Sequence, residues 1–437
     1  MLRKTFTTLS SRASASRAFS SLGYFPGTKL PYVADVVFKD PRENELIPCF
    51  RILNEQGDVV EGAKDPELGQ DMCTQMYTNM LRLNAMDNIF YDAQRQGRIS
   101  FYMTSYGEEA IQFGSASAIR QGSYALSNIE PFDMVFGQYR EPGVLMWRGF
   151  SLENFADQCF SNKDGHGKGR QMPVHYGSKN LNYQTISSPL ATQLPQAVGA
   201  AYSFKIAKED RISVCYFGEG AASEGDFHAA LNFAATKECP IMFFCRNNGF
   251  AISTPTVDQF RGDGIASRGA GYGIPIMRVD GNDFLAVHEV TRKAREFILR
   301  ENRPVLIEAM SYRQGHHSTS DDSTRYREVS DIKHWKETCD PIDRTRNYLI
   351  VSLLFVAATA GQQCRRGWLT AEQDQHLRDN QRTDVLAALQ NAESKGPPSL
   401  ETLFEDVYDV KIPHLLRQEK EMLAHVAKYP DHYSNGH

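Results

Sequence analysis

The run Ile212-Ser-Val-Cys-Tyr-Phe217 leads into Gly218-Glu-Gly-Ala-Ala-Ser-Glu-Gly-Asp226, and the same order returns at Ile241-Met-Phe-Phe-Cys245 with Arg246-Asn-Asn-Gly-Phe250. Each apolar run is short and lacks polar alternation, the mark of a strand buried on both faces. Between them, residues from about Glu224 to Thr236 form a helical segment of the length a crossover between parallel strands needs. Upstream, Ser187 to Lys208 places Leu194, Ala197, Val198 and Ala201 at helical spacing, and downstream Pro304-Val-Leu-Ile-Glu-Ala-Met310 supplies another run. Short apolar runs alternating with helices predict an α/β fold, a parallel sheet flanked by helices. Ligands of such sheets bind beyond the carboxyl ends of the strands, so the chemistry is sought in the turns that follow these runs.

Outward from this centre, Asp71 to Gln96 reads as a long helix ended by Gly97, after an extended lead punctuated by Pro26, Pro31, Pro41 and Pro48. From about Ile332 the chain is helical and charged, with a break at Gly396-Pro-Pro398. The expected division is a lead over residues 1–45, an α/β domain over 46–335 and a helical C-terminal region over 336–437. A chain of 437 residues with 23% charged and 41% hydrophobic residues and a net charge of −5 has an ordinary globular composition. That argues against a disordered tail protein and against a nucleic-acid binder.

The charge is unevenly spread. Arg3, Lys4, Arg12, Arg17 and Lys29 precede the first acid, Asp35, and without them the net charge is −10. The opening MLRKTFTTLSSRASASRAFSS is rich in Ser, Thr, Arg and Ala and has no apolar core of the secretory kind, a pattern expected of a mitochondrial presequence. A plain disordered N-terminus is the alternative. No run is long and apolar enough for a membrane span; the longest, Leu349 to Ala360, falls short. The eight cysteines contain no CxxC pair, which supports neither a zinc site nor a disulfide framework, and Cys215 and Cys245 sit in apolar runs as small buried hydrophobes.

The turn after the first run is not a dinucleotide fingerprint, because Ser223 stands where the third glycine of GxGxxG belongs. Gly165-His-Gly-Lys-Gly169 does not make a Walker loop either. Asn248 follows Glu219 by 29 residues, about one βαβ step, so the two side chains should stand side by side at neighbouring strand ends. One carboxylate and one amide oxygen suit Mg²⁺ that also takes phosphate oxygens, as on a diphosphate cofactor. Gly218 and Gly220 would let backbone approach phosphate, with the helix after Glu224 directing its N-terminus there. The bland alternative is a glycine turn with a surface asparagine.

This Gly-acid-Gly turn followed by Asn resembles the thiamine diphosphate motif. In detail, GEGAASEGD, RNNGFAISTP and YRQGHHSTSDD resemble the alpha subunits of branched-chain 2-oxo acid dehydrogenase complexes rather than those of pyruvate dehydrogenases. The resemblance runs from about Arg98 to Trp335 and weakly to the C-terminus. It implies a thiamine diphosphate-binding fold and oxidative decarboxylation of the 2-oxo acids of Val, Leu and Ile, with acyl transfer to a lipoyl arm: a 3-methyl-2-oxobutanoate dehydrogenase (2-methylpropanoyl-transferring). It also implies a beta subunit in a two-alpha, two-beta heterotetramer, a lipoylated acyltransferase core, a regulatory kinase and phosphatase, and a place in the mitochondrial matrix.

The resemblance also carries site roles. Gln138, Tyr139, Arg140, Ser188, Leu190, Gly220, Ala221, Arg246 and His317 would contact thiamine diphosphate. Glu219, Asn248 and the carbonyl of Phe250 would hold Mg²⁺, and Ser187, Pro189, Thr192 and Gln193 a structural K⁺. His317 would serve acyl transfer as the catalytic histidine, and Ser318 would be phosphorylated, adding about −1.5 to −2 charge at a channel mouth that anionic substrates must enter. His316 and His317 form a pair without the third ligand a metal site needs. No second phosphorylation site is expected, since Glu328 stands after Tyr326-Arg327. The activating glutamate would come from the beta subunit.

The chain departs from the family pattern at Gln121 to Pro131, which is longer, and near 350–366, an apolar insertion that is either an interface helix or an unspliced intron. The rival readings are a pyruvate or acetoin dehydrogenase alpha subunit, disfavoured by the three motif variants, and a non-catalytic regulatory scaffold, disfavoured by Glu219, Asn248, Arg140 and His317.

Overall fold

The computed structural model describes residues 22–120, 132–350 and 366–433. The expected presequence, the longer stretch at 121–131 and nearly all of the apolar insertion lie outside the described residues. The chain forms two compact units, Met1–Leu46 and Ile47–His437. In the first, β1 (Leu22–Phe25) and β2 (Thr28–Pro31) pair as an antiparallel hairpin.

The second unit holds β3 (Cys49–Phe50), β4 (Met134–Phe136), β5 (Tyr183–Gln184), β6 (Ser213–Gly218) and β7 (Ile241–Asn247). A small hairpin of β8 (Phe250–Ala251) and β9 (Thr254–Pro255) follows, then β10 (Ile276–Asp280) and β11 (Val305–Met310). Seven of these strands make one parallel sheet in the order β3-β10-β11-β7-β6-β4-β5, as the alternation of runs and helices requires. The helices before and between them are α1 (Gln70–Arg95), α2 (Glu109–Ala118), α3 (Pro142–Trp147), α4 (Leu152–Cys159), α5 (Gln193–Ala207), α6 (Gly225–Lys237), α7 (Thr256–Gln259), α8 (Ala266–Gly271) and α9 (Phe284–Glu301). The C-terminal part adds α10 (Val329–Thr338), α11 (Pro341–Leu349), α12 (Ala371–Glu393) and α13 (Pro413–Lys428).

The central strands are apolar throughout because both faces are covered. Successive strand residues point to opposite faces. Val214, Tyr216, Met242, Phe244 and Ile307 therefore pack with Met76, Phe90, Phe113 and Val287 of α1, α2 and α9. The alternate residues Cys215, Phe217, Phe243, Cys245 and Leu306 pack on the other face with Leu194, Val198, Leu231 and Ala234 of α5 and α6. Each large apolar side chain so buried contributes about 1.5–3 kcal/mol. Burial also pushes the thiols of Cys215 and Cys245 well above their ordinary range, which suits small hydrophobes and not nucleophiles.

The C-terminal helix α12 lies along α1. Tyr77 donates to Asp374 at 2.5 Å and Arg82 Nε to Gln381 at 2.7 Å. No described helix is long and apolar enough to cross a membrane.

The described chain stops at Ile350 and resumes at Arg366 almost at one point. Arg366 N–H donates to the Tyr348 carbonyl at 3.0 Å, and Trp368 N–H to that of Leu349 at 2.9 Å. Joining Ile350 directly to Arg366 would turn the first of these into the bond that closes a four-residue turn. Excision of 351–365 removes fifteen residues between two anchored points, and the closure entropy saved is at most about 2 kcal/mol. The shortened chain is expected to melt at the same temperature or slightly higher; insoluble protein, or a fall of more than 10 °C, would show that the fold needs the segment.

Candidate active site

Four neighbouring strands, β4, β6, β7 and β11, end side by side, and their carboxyl ends carry the residues singled out in the sequence. The turn after β4 supplies Gln138, Tyr139 and Arg140; that after β6, Glu219, Gly220 and Ala221; the end of β7, Arg246 and Asn248; and the loop after β11, His317. These nine residues, with Leu190, Gly218, Phe250, Ala251 and Ile252, line one cavity of about 330 Å³. Register explains the meeting: Gly218 of β6 pairs with Arg246 of β7, so the residues after each emerge at one level.

Gly218 and Gly220 differ in what they permit. A side chain at Gly218 would meet only ordinary contacts, whereas a Cβ at Gly220 would come within 2.8 Å of that of Ala251 in the β8–β9 hairpin. Gly220 thus lets the turn and the hairpin close over one another. The Ala221–Ser223 stretch is a 3-10 turn, and α6 starts at Gly225 beyond it.

Arg246 lies buried between two carboxylates with no solvent exposure. Its Nη1 donates to Glu108 Oε2 at 2.6 Å and its Nε to Glu141 Oε1. Burial opposes its charge, but Glu141 and Glu108 outweigh that and raise its pKa. Burial likewise pushes Glu108 upward, and Arg246, Arg140 and the Asn248 amide outweigh it, so Glu108 stays below the ordinary carboxylate range. Glu108 Oε1 also accepts from Asn248 Nδ2 at 2.7 Å. Gln138 Oε1 accepts from the Gly218 N–H at 2.9 Å, and the Gln138 N–H donates to Glu141 at 2.7 Å, locking the β4 turn to the end of β6.

Two buried polar atoms of these residues, Glu219 Oε1 and Arg246 Nη2, have no hydrogen-bond partner among the described residues. One accepts and the other donates. That is the need a cation next to phosphate oxygens would meet, so the residues present fit such a group. Burial pushes the Glu219 carboxyl up to about 7, as expected for an acid whose counter-charge is not part of the chain.

Arg140 is more fully engaged than a free phosphate fork. Its Nη1 donates to the Thr104 carbonyl and its Nη2 to the His317 carbonyl at 2.6 Å. The same Nη2 lies 3.2 Å from His317 Nδ1. Arginine only donates, so Nδ1 accepts and the ring proton sits on Nε2. Burial, with Arg140 and Arg313 beside it, holds the His317 pKa down at about 3, so the ring is neutral at physiological pH. Its edge meets the Tyr139 ring with centroids 5.9 Å apart.

The expected K⁺ segment gathers part of its oxygens. Thr192 Oγ1 lies 3.3 Å from Ser187 Oγ and 3.2 Å from the Pro189 carbonyl, around Ala191 in the left-handed region at φ 68°. Gln193 instead donates its amide to the Tyr216 carbonyl at 3.1 Å. Ser188 does not line the cavity; its hydroxyl meets His175 Nε2 at 2.7 Å. Ser318 is 8% exposed, in a turn where Asp321 accepts from the His317 N–H at 2.7 Å and from the Tyr326 hydroxyl at 2.6 Å. Among the described residues, no group of three or more His, Cys, Asp or Glu side chains that could hold a metal ion occurs.

Sequence reasoning missed Glu108, Glu141 and Ile252. Glu141 directly follows Gln138, Tyr139 and Arg140, and Glu108 opens the apolar helix α2, where a charge entering a buried face is the one available signal. Gly107 brings Glu108 in: it has φ +87°, and a Cβ there would come within 2.3 Å of the Tyr312 carbonyl. Ile252, a β-branched residue at φ 56° in the hairpin turn, is held by Arg313 Nη2 on its carbonyl at 2.7 Å. Such a conformation costs about 1–2 kcal/mol and left no trace in the sequence pattern.

The sequence pattern of the dehydrogenase E1 component family matches residues 77–401. The mouse (Mus musculus) protein named 2-oxoisovalerate dehydrogenase subunit alpha, mitochondrial, is 50% identical over 413 residues, 94% of this chain and 88% of its own. The Dictyostelium discoideum protein of that name is 52% identical over 388 residues, 89% of this chain and 82% of its own. An Arabidopsis thaliana protein, 2-oxoisovalerate dehydrogenase subunit alpha 2, mitochondrial, is 48% identical over 409 residues, 94% and 82% of the two chains. A match of this extent, on a sheet whose neighbouring strand ends converge on one cavity, makes the chain a member of the dehydrogenase E1 component family.

Proposed function

We propose that this chain is the alpha subunit of a mitochondrial 3-methyl-2-oxobutanoate dehydrogenase, which decarboxylates the branched-chain 2-oxo acids derived from Val, Leu and Ile. The observation that carries the reading is the pair of unpartnered buried atoms on Glu219 and Arg246, at adjacent strand ends of a chain half-identical to proteins named 2-oxoisovalerate dehydrogenase subunit alpha. Thiamine diphosphate, when bound, supplies the carbanion chemistry that releases CO₂ and passes the acyl unit to a lipoyl group.

This chain's residues bind and orient. Arg246 would meet the diphosphate with its free Nη2, and Gln138 and Arg140 would support it from the β4 turn. Glu219, Asn248 and the Phe250 carbonyl would hold Mg²⁺, and Ser187, Pro189, Thr192 and Gln193 would hold K⁺. Tyr139, Leu190, Gly220 and Ala221 would line the rest of the cofactor site, with Ser188 held outside the cavity by His175. His317, neutral and protonated on Nε2, offers a donor to the substrate carboxylate or to an oxygen that gains charge, without adding a titrating group near neutral pH. The proton-activating acid comes from the beta subunit, in a two-alpha, two-beta assembly that serves a lipoylated acyltransferase core in the matrix.

Ser318 is the site at which a kinase and a phosphatase regulate the enzyme. Its burial means that the turn through Asp321 must open before modification. Residues 46–335 are the cofactor-binding body and 336–437 its helical extension, behind a lead over 1–45 that includes the presequence.

Co-expression with the beta subunit, followed by decarboxylation assays on 3-methyl-2-oxobutanoate, 4-methyl-2-oxopentanoate and pyruvate, tests the reading. The branched substrates are expected to show at least about tenfold higher kcat/KM than pyruvate, a difference of about 1.4 kcal/mol that a pocket fitted to extra methyl groups supplies. The alpha chain alone should be inactive. Equal or faster turnover of pyruvate overturns the substrate class.

A further inference from the structure

The side-chain amide of asparagine is nearly symmetric in shape but not in chemistry, since one end accepts and the other donates. At a cation site only the oxygen end is useful. In this chain the amide of Asn248 is 5% exposed and meets Glu108 Oε1 through Nδ2 at 2.7 Å, while its Oδ1 accepts from the Phe250 N–H at 3.2 Å. Glu108 itself has no solvent exposure, and its second oxygen accepts from Arg246 Nη1 at 2.6 Å.

We propose that Glu108 is a positioning residue that turns the Asn248 amide so that its oxygen, and not its NH₂, faces the bound cation. An ionised carboxylate accepts hydrogen bonds and donates none, so Nδ2 is the only end of the amide that Glu108 Oε1 tolerates at that distance. The device is not interchangeable with a neutral isostere. In a Glu108→Gln variant the glutamine oxygen must stay with Arg246, which only donates. Its NH₂ then faces the NH₂ of Asn248, and the asparagine relieves the conflict by turning over, which withdraws the oxygen from the cation. The inference rests on the reading of Glu219 and Asn248 as cation holders.

The experiment is Mn²⁺ binding to the chain assembled with its beta subunit at saturating thiamine diphosphate, followed by the paramagnetic resonance of free Mn²⁺. Glu108→Gln is expected to raise the Kd for Mn²⁺ at least tenfold. Glu141→Gln removes a carboxylate from the same arginine without touching Asn248, and is expected to change the Kd by less than threefold. Glu108→Gln with Asn248→Asp is expected to return to within threefold of the parent, because the glutamine NH₂ donates to one aspartate oxygen and the other faces the cation.

Equal weakening by Glu108→Gln and Glu141→Gln overturns the inference in favour of charge alone, and so does a double variant no better than Glu108→Gln. If Glu108→Gln does not assemble but the double variant does, the rescue supports it; failure of both assigns Glu108 to folding and overturns it. Glu219→Ala separates the two levels. Mn²⁺ binding unaffected by that change defeats the reading of the site, whereas binding lost there but intact in Glu108→Gln defeats only the role of Glu108.

Discussion

Replacing Arg246 by methionine is expected to lower the melting temperature of the assembled protein by roughly 3–5 °C and to abolish retention of thiamine diphosphate. Methionine fills much of the same space without charge. What it removes is the only cation within hydrogen-bond distance of Glu108 and Glu141 among the described residues, two carboxylates that have no access to solvent. Arg140 Nε stands 4.0 Å from Glu108 and compensates weakly. Removing one partner of a buried ion pair costs about 3–5 kcal/mol, because the remaining charge must stay dry or take a proton. In a chain of this size that corresponds to several degrees of melting.

The deficit should depend on pH in a definite sense. In the parent, Glu108 sits below the ordinary carboxylate range, so its contribution is full above the unfolded value and is lost as pH falls through the folded one. In the variant the same group, stripped of its cation, favours the proton. The gap in melting temperature should therefore narrow on acidification below about pH 5. A constant gap, or none, would show that the carboxylates do not depend on this arginine.

Glu219→Ala is the second large effect, and it should divide stability from activity. The carboxyl is 2% exposed, Oε1 has no partner among the described residues, and burial pushes its pKa up to about 7. Removing a buried group with one unmet oxygen does not weaken the cofactor-free chain, so its melting temperature should hold or rise by a degree or two. Activity with the beta subunit should fall by at least about 100-fold, equivalent to roughly 2.7 kcal/mol of lost cation and phosphate placement. A parallel loss of both would identify Glu219 as a structural acid. Activity unchanged would remove it from the site.

The contrast between these two residues marks how far the site is legible in the sequence. Glu219, Arg246 and Asn248 follow buried strands directly, so periodicity alone brings them to one level, and the 29-residue interval between Glu219 and Asn248 encodes their adjacency. Gln138, Tyr139 and Arg140 follow a strand of only three residues, Met134–Phe136, too short to stand out, and are recognised by family resemblance. Glu108 and Glu141 start helices α2 and α3, where acids are common for reasons of local electrostatics. Only the sheet order, which sets β7 between β11 and β6, carries these helix starts over Arg246. That long-range placement has no local signature.

The position of β7 also bears on how the protein is made. Its neighbour β6 precedes it in the chain, but its other neighbour β11 begins at Val305, roughly sixty residues after β7 ends at Asn247. A chain delivered N-terminus first, as through an import channel, therefore holds one apolar edge of its central strand unpaired until those residues have followed. While that edge is open the chain is prone to aggregate, and a chaperone that binds it then has most to protect.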